Sequence, residues 1–147
     1  MADERKISDD LDNPDDAGLR DILKGLRRVA VVGISDREER ASHGIAKFLI
    51  ERGLDVVGVN PALQEVLGRP VYPSLADVPG SVDVVDVFRR SETVGPIVDE
   101  AIAKRAPVVW MQLGVVNPEA AARARAAGIT VVQDRCIFQE WLRLLGA

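Results

Sequence analysis

The sequence predicts an α/β fold in which a five-stranded parallel sheet is covered by helices on both faces. Strand-like and helix-like segments alternate along the chain. The strand-like segments are short, mostly β-branched apolar runs without polar alternation, which is typical of strands buried on both faces. Short connections between alternating strands and helices favour right-handed crossovers, and therefore a Rossmann-like three-layer arrangement.

The individual elements follow from apolar spacing and from end signals. Strands are predicted at residues 29–32, 56–59, 82–88, 108–113 and 129–132. Helices are predicted after Asp15, before Gly53, from Pro96, between Asn117 and Gly128, and from about Arg135. Capping by an aspartate or asparagine and early prolines support these starts. Residues 61–75 are predicted as a mixed connection with a turn at Gly68-Arg69-Pro70.

Length and composition limit the classes of function. The 147 residues suit one ordinary domain, placed at 15–147, after an acidic segment at 1–14 that we expect to be mobile. A net charge of -4 and a pI near 5.0 argue against a nucleic-acid partner. One cysteine and one histidine argue against a disulfide framework or a metal cluster. Without a long apolar run or signal-peptide core, we expect a cytoplasmic protein with no membrane partner.

The candidate site lies where the strands end. In an open parallel sheet, ligands bind outside the carboxyl ends of the strands, near the point where strand order reverses. Gly33 ends the first strand, and a glycine there allows close approach of the backbone. Five arginines follow strand ends: Arg37, Arg40, Arg89, Arg90 and Arg135. A solvated ion pair is the simpler interpretation of any one of them, but together they predict an anion site.

A dinucleotide is the first ligand to consider for this architecture. The G-x-G-x-x-G pattern requires a second glycine where this chain has Ser35. The second strand ends in Asn60-Pro61 and lacks the acidic residue that binds ribose hydroxyls. An NAD(P)-binding oxidoreductase with an atypical glycine loop therefore stays open only as an alternative function.

Several ordered motifs carry a family resemblance. They are Val-Val-Gly-Ile-Ser at 31–35, Arg-Ala-Ser at 40–42, Val-Asn-Pro at 59–61, Tyr-Pro-Ser-Leu at 72–75, Val-Phe-Arg-Arg-Ser-Glu at 87–92, Val-Trp-Met-Gln-Leu-Gly at 109–114 and Asp-Arg-Cys at 134–136. Over about residues 20–145 the chain resembles the stand-alone CoA-binding proteins, which are similar to the CoA-binding domain of the succinate-CoA ligase alpha subunit.

The resemblance implies coenzyme A, or an acyl-CoA, as the ligand. The residues that it assigns to the phosphates are Gly33, Ile34, Ser35, Arg40 and Ser42. Those that it assigns to the nucleotide are Asn60, Pro61, Phe88, Arg89 and Arg90, with Gln112 and Leu113 along the pantetheine path. The resemblance does not reach the second domain, in which the ligases carry their phosphorylated histidine. We therefore expect binding without catalysis, while a module that acts with a partner subunit and a homodimer both stay open.

Single residues outside these motifs have simpler interpretations. His43 is expected to be a surface or capping residue, and Asp83 and Asp86 are expected in strand-edge or turn roles. Phe88 could stack on adenine or belong to the core. Cys136 is a candidate ligand contact, because a helix amino end and Arg135 beside it favour a thiolate that could form a mixed disulfide with CoA. The commoner role of a lone cysteine is that of a small buried apolar residue.

Overall fold

The chain alternates strands and helices as expected, except after the second strand. The computed structural model describes residues 11–146. The helices are α1 Asp16–Lys24, α2 Ala41–Glu51, α3 Val94–Lys104, α4 Pro118–Ala126 and α5 Ile137–Leu145. The strands are β1 Arg28–Val32, β2 Asp55–Val59, β3 Glu65–Val66, β4 Arg69–Tyr72, β5 Val84–Val87, β6 Val108–Met111 and β7 Thr130–Val132.

The strands form one sheet in the order β3-β4-β2-β1-β5-β6-β7. Every neighbouring pair is parallel except β3 and β4. The chain builds outward from β1 to one side through β2 and β4, and then to the other side through β5, β6 and β7. Strand order therefore reverses beside β1, and the carboxyl ends of β1 and β5 flank the point where such sheets bind ligands.

The sheet has seven strands, so the prediction of five was wrong in number. The two additional strands lie in the stretch 61–75, where β3 and β4 form a hairpin and β4 extends the parallel sheet beside β2. Leu67 and Gly68 connect them with φ values of 53° and 75°, as hairpin turns of two residues require. Strands of two and four residues with polar side chains and a proline give no apolar run to recognise.

Helices cover both faces of the sheet, which confirms the three-layer α/β fold. On one face, Val85, Val87 and Val109 belong to an apolar cluster with residues of α3 and α4. On the other face, Val31 and Trp110 belong to a second cluster with residues of α1, α2 and α5. In the part of the chain that the structure describes, no helix is both long and apolar enough to cross a membrane.

The predicted helix-capping residues are confirmed, whereas two of the predicted helix starts are shifted by two residues. The side chain of Asp15 accepts a hydrogen bond from Gly18 N, and that of Asn117 accepts one from Ala120 N. Helix α3 begins two residues before Pro96, because a 3-10 turn at Ser91–Thr93 leads directly into it. Helix α5 begins at Ile137 and has Cys136 at its N-cap position, slightly later than expected.

Part of the acidic segment 1–14 is held against the sheet. Residues 1–10 lie outside the described residues, so mobility there stays a prediction. The Asn13 side chain donates from Nδ2 to Gln133 O at 2.8 Å and accepts from Gln133 N at 2.7 Å. Arg125 donates to Leu11 O at 2.9 Å. The two Asn13 bonds satisfy the backbone of Gln133 immediately after edge strand β7, and the Arg125 bond holds the chain at Leu11.

The two aspartates of the third predicted strand differ in their surroundings. Asp83 accepts hydrogen bonds from Arg27 N at 3.0 Å and from Arg28 N at 2.8 Å, which is the turn role expected of it. Asp86 was expected in a similar role, but it lies in β5 opposite Val31 and Trp110 and is fully buried. Neither of its carboxyl oxygens has a hydrogen-bond partner among residues 11–146. Burial therefore raises the pKa of Asp86 well above its ordinary value.

We predict that Asp86 makes the stability of the protein fall as pH rises. The pKa of Asp86 is higher in the folded chain than in the unfolded chain, so its contribution to the free energy of unfolding is complete at acid pH. The contribution declines from the unfolded pKa upward and is lost as pH passes the folded pKa. Asp86→Asn should remove this decline, which amounts to about 1.4 kcal/mol per pH unit for one group. Urea unfolding from about pH 5 to about pH 8 measures it.

Asp36→Asn, at an exposed position, is the matched control and should follow the wild-type pH dependence. Parallel curves for wild type and Asp86→Asn would contradict a neutral buried carboxyl.

Candidate functional site

A cavity of about 470 Å³ lies at the carboxyl ends of β1 and β5. Its lining residues come from the loop after β1, the start of α2, the end of β2 and the end of β5. They are Gly33, Ile34, Ser35, Arg37, Arg40, Ala41, Ser42, Asn60, Phe88 and Arg89. The cavity therefore brings together eight residues that the sequence assigned to phosphate or nucleotide binding.

The turn after β1 is held by close contacts with its neighbours. Gly33 has a φ of 91°, and a Cβ there would lie 2.7 Å from the carbonyl oxygen of Phe88. Gly33 N also donates to Val59 O at 2.8 Å. The Ile34 side chain is buried against Gly58, where a Cβ would lie 2.7 Å from Ile34 Cγ2. The close approach at Gly33 is thus first an approach to the protein itself, and Ile34 lines the cavity from a side chain anchored in the core.

Asn60 fixes this turn from the end of β2. Its Nδ2 donates to Ile34 O at 2.8 Å, and its Oδ1 accepts from Ala62 N at 2.8 Å. Ser35 forms a local turn as well, because its Oγ accepts from Arg37 N at 3.1 Å. The carboxamide of Asn60 therefore holds the loop that borders the cavity, a role that spacing in the sequence did not reveal.

Three of the five arginines converge on this cavity. Arg37, Arg40 and Arg89 line it, and no carboxylate oxygen of residues 11–146 lies within 4.0 Å of their guanidinium nitrogens. The other two arginines have acidic partners. Arg90 lies 3.5 Å from Glu92, and Arg135 lies 3.3 Å from Glu140. Within residues 11–146, the predicted group therefore divides into three arginines without an ion pair and two with one.

The amino end of α2 adds backbone donors. Arg40 occupies the N-cap position without a side-chain cap, and both His43 N and Gly44 N donate to Arg40 O. Ala41 and Ser42 also line the cavity, and their backbone N–H groups have no partner in the described part of the chain. Free N–H groups and the helix dipole favour an anion at this end. His43 is buried within the same turn, so its expected place on the surface was wrong.

A second cavity of about 440 Å³ adjoins the first and shares Phe88 and Arg89 with it. Pro61, Arg90, Thr93 and Ile97 complete its lining. Phe88 is half-buried and packs against the core while it borders both cavities. Core and ligand roles for Phe88 are therefore compatible in the geometry.

The remaining predicted residues lie elsewhere. Gln112 is buried, and its Oε1 accepts from Ile137 N at 3.1 Å, so it caps α5. Leu113 and Cys136 line a separate cavity of about 470 Å³ beside the first turns of α5. Cys136 is only 9 % exposed. The structure therefore does not place Gln112, Leu113 or Cys136 in the lining of the arginine-lined cavity.

Some lining residues were not proposed from the sequence. Arg37 was counted among the arginines but was not chosen as a ligand residue. Thr93 and Ile97 belong to the 3-10 turn and first helical turn after β5. Their position after β5 could have predicted them, because the residues that begin the helix after a strand lie at the same edge of the sheet as the residues that end the strand.

Comparison with known proteins agrees with this geometry. Residues 27–141 match the family described as "CoA binding domain". The chain belongs to this CoA-binding family. It is 41% identical over 127 residues to the uncharacterized protein YneT of Bacillus subtilis (strain 168), covering 86% of this chain and 94% of YneT. The structure is similar to that of a hypothetical protein from Pyrococcus horikoshii OT3, with a TM-score of 0.89, 42% identity, and coverage of 92% and 95%.

A longer relative shares one region with this member of the CoA-binding family. Acetate–CoA ligase [ADP-forming] I of Archaeoglobus fulgidus is 36% identical over 72 residues, which is 49% of this chain and 10% of the ligase. The shared region supports the resemblance of the sequence motifs to CoA ligases, and it concerns a small part of that enzyme.

We predict that Gly33 is required by the fold before any ligand binds. Gly53 is the matched control, because it has a φ of 84° but no heavy atom within 4 Å of the place that a Cβ would take. Gly53→Ala should cost about 1–2 kcal/mol of unfolding free energy, from backbone strain alone. Gly33→Ala should cost a further 1–3 kcal/mol, roughly the cost of overpacking, because its Cβ meets Phe88 O. Denaturant unfolding of both variants compares the losses, and equal losses would contradict the steric argument.

Proposed function

We propose that this protein is a cytoplasmic CoA-binding protein that holds coenzyme A, or an acyl-CoA, without catalysing a reaction of its own. One observation carries the proposal. Three arginines without an ion pair in the described chain, together with two backbone N–H groups, surround one cavity at the switch point of the sheet.

Charge supports an anionic ligand. The protein has a net charge of -4, yet the residues that line this cavity include arginines and no carboxylate. Like charges gathered in one cavity repel one another, and a bound polyanion removes that repulsion. Guanidinium groups bind phosphate oxygens in pairs, and helix amino ends bind them through N–H groups. CoA carries a 3′-phosphate and a 5′-diphosphate on one adenosine, which suits a cavity with several separate donors.

The adjoining cavity supports a nucleotide. Pro61, Phe88 and Ile97 supply apolar surface there, while Arg89 stands between the two cavities. An adenine ring needs a flat apolar contact, and phosphates need the donors next to it. We therefore place the base beside Phe88 and the phosphates beside the Gly33 turn.

The same residues favour CoA over a nicotinamide dinucleotide. The Asn60 side chain, at the position where dinucleotide sites use an acid for the ribose, is already bonded to Ile34 O and Ala62 N. The two cavities are also lined without histidine, cysteine, aspartate or glutamate. General acid–base catalysis requires such a group within hydrogen-bond reach, so this lining supports binding as the function.

Ligand titration tests the proposal directly. In calorimetry, CoA should bind more tightly than 3′-dephospho-CoA by about tenfold or more, because one charged hydrogen-bonded group is lost. NADP should bind more weakly than either. Equal affinity for CoA and 3′-dephospho-CoA would contradict recognition of the 3′-phosphate. Binding of NADP without binding of CoA would overturn the proposed function in favour of the dinucleotide alternative.

Arginine variants locate the phosphates. Arg89→Ala should weaken CoA binding by about 1.5–3 kcal/mol, the usual value for a hydrogen bond to a charged group. Arg27→Ala is the matched control, because Arg27 is exposed and precedes β1 at the opposite edge of the sheet. It removes the same charge and should change binding by less than about 0.5 kcal/mol. Equal effects of the two variants would indicate general attraction rather than a site at Arg89.

A further inference from the structure

A closely hydrogen-bonded loop lies beside the segment 88–91, which carries Arg89 and Arg90. It connects β6 to α4, and every backbone N–H from residue 114 to 117 has an acceptor inside the protein. Gly114 N donates to Asp134 Oδ1 at 2.8 Å and Val115 N to Gln112 O at 2.8 Å. Val116 N donates to Ser91 Oγ at 3.0 Å and Asn117 N to Gln133 Oε1 at 2.9 Å. The loop is therefore held in one conformation by contacts from three strand ends.

Ser91 connects this loop to the segment that carries the arginines. Its Oγ accepts from Val116 N and also donates to Gly114 O at 3.2 Å. Its carbonyl oxygen accepts from Asn117 Nδ2 at 2.9 Å. The preceding residue is fixed as well, because Arg90 O accepts from Thr93 N and from Thr93 Oγ1. Ser91 thus makes three of the bonds that join the end of β5 to the loop after β6.

The loop presents an exposed apolar side chain. Leu113 is 55 % exposed, more than any other large apolar residue in the described part of the chain. It lines the cavity beside Cys136 and follows β6, which pairs with β5, the strand that precedes Phe88 and Arg89. A ligand group that covers the exposed Leu113 side chain would gain the free energy of burying its apolar surface.

We propose that Ser91 is a positioning residue that fixes Leu113 relative to the arginine-lined cavity, so that one ligand engages both. The proposal rests on the proposed function and adds to it. The phosphates occupy the arginine-lined cavity, and the uncharged pantetheine arm of CoA, called the arm below, lies over Leu113. Ser91 then determines how much the arm adds to the affinity of the phosphate-bearing part.

Two ligands separate this role from a general effect on the site. CoA contains the arm, and adenosine 3′,5′-bisphosphate contains the nucleotide with two of the phosphates but no arm. Ser91→Ala removes both Oγ bonds and should weaken CoA binding by about tenfold, since two hydrogen bonds that order the loop are lost. Binding of adenosine 3′,5′-bisphosphate should stay within about twofold of wild type, because its contacts do not involve the loop.

Two further variants control the measurement. Ser91→Thr keeps the hydroxyl and should restore the difference between the two ligands. Ser74→Ala removes a hydroxyl that bonds Asp77 Oδ2 at 2.9 Å outside the cavities, and it should change neither affinity. Amide hydrogen exchange without ligand should be faster at Val116 in Ser91→Ala than in wild type, because its acceptor is gone.

Three other outcomes would contradict the positioning role or the proposed function. Equal weakening of both ligands, or unchanged CoA affinity in Ser91→Ala, would overturn the positioning role while leaving CoA binding intact. Unchanged exchange at Val116 would show that the loop does not depend on Ser91 and would overturn it as well. If the wild-type protein bound neither CoA nor adenosine 3′,5′-bisphosphate, the proposed function itself would be refuted, and the positioning role with it.

Discussion

Strands β1 and β5 end so close together that no side chain fits at position 33. The carbonyl oxygen of Phe88 lies 2.7 Å from the place that a Cβ of residue 33 would take, and the neighbouring turn is bonded to β2 through Gly33 N and Asn60. The same approach brings the Arg89 side chain close to the turn, where its Nε would lie 3.3 Å from a Cβ at position 33. The arginine-lined cavity exists because three strand ends meet there, and glycine is the residue that permits the meeting.

The site also depends on charges that the fold leaves without partners. Elsewhere in the described chain, arginines are used structurally. Arg143 binds Asp16 and Glu140, and Arg123 binds Asp99. At the switch point, Arg37, Arg40 and Arg89 form no ion pair with an acid of residues 11–146, and no carboxylate lines their cavity. A protein with excess negative charge can hold such a cluster, because the local repulsion is small compared with the stability of the whole domain and is removed when an anion binds.

Polar groups inside the protein serve the same edge of the sheet in different ways. Gln112 caps α5, and Gln133 supports both Asn117 and the chain at Asn13. These buried groups are bonded, so they fix the loops at no desolvation loss. Asp86 differs, because its buried carboxyl has no hydrogen-bond partner among residues 11–146, and burial raises its pKa well above the ordinary value.

The sequence by itself determined the buried strands, the helix caps and the candidate arginines. Apolar β-branched runs become central strands, as at Val29 and Val109, because only burial on both faces satisfies them. Asp15 and Asn117 cap helices through contacts within three residues, which spacing alone predicts. Tertiary structure decided what depends on distant neighbours: the pairing of β4 with β2, the burial of Asp86 between β1 and β6, and the ion pair of Arg143 with Asp16. Strand pairing and long-range ion pairs arise from packing between segments far apart in the chain, so the local sequence pattern does not predict them.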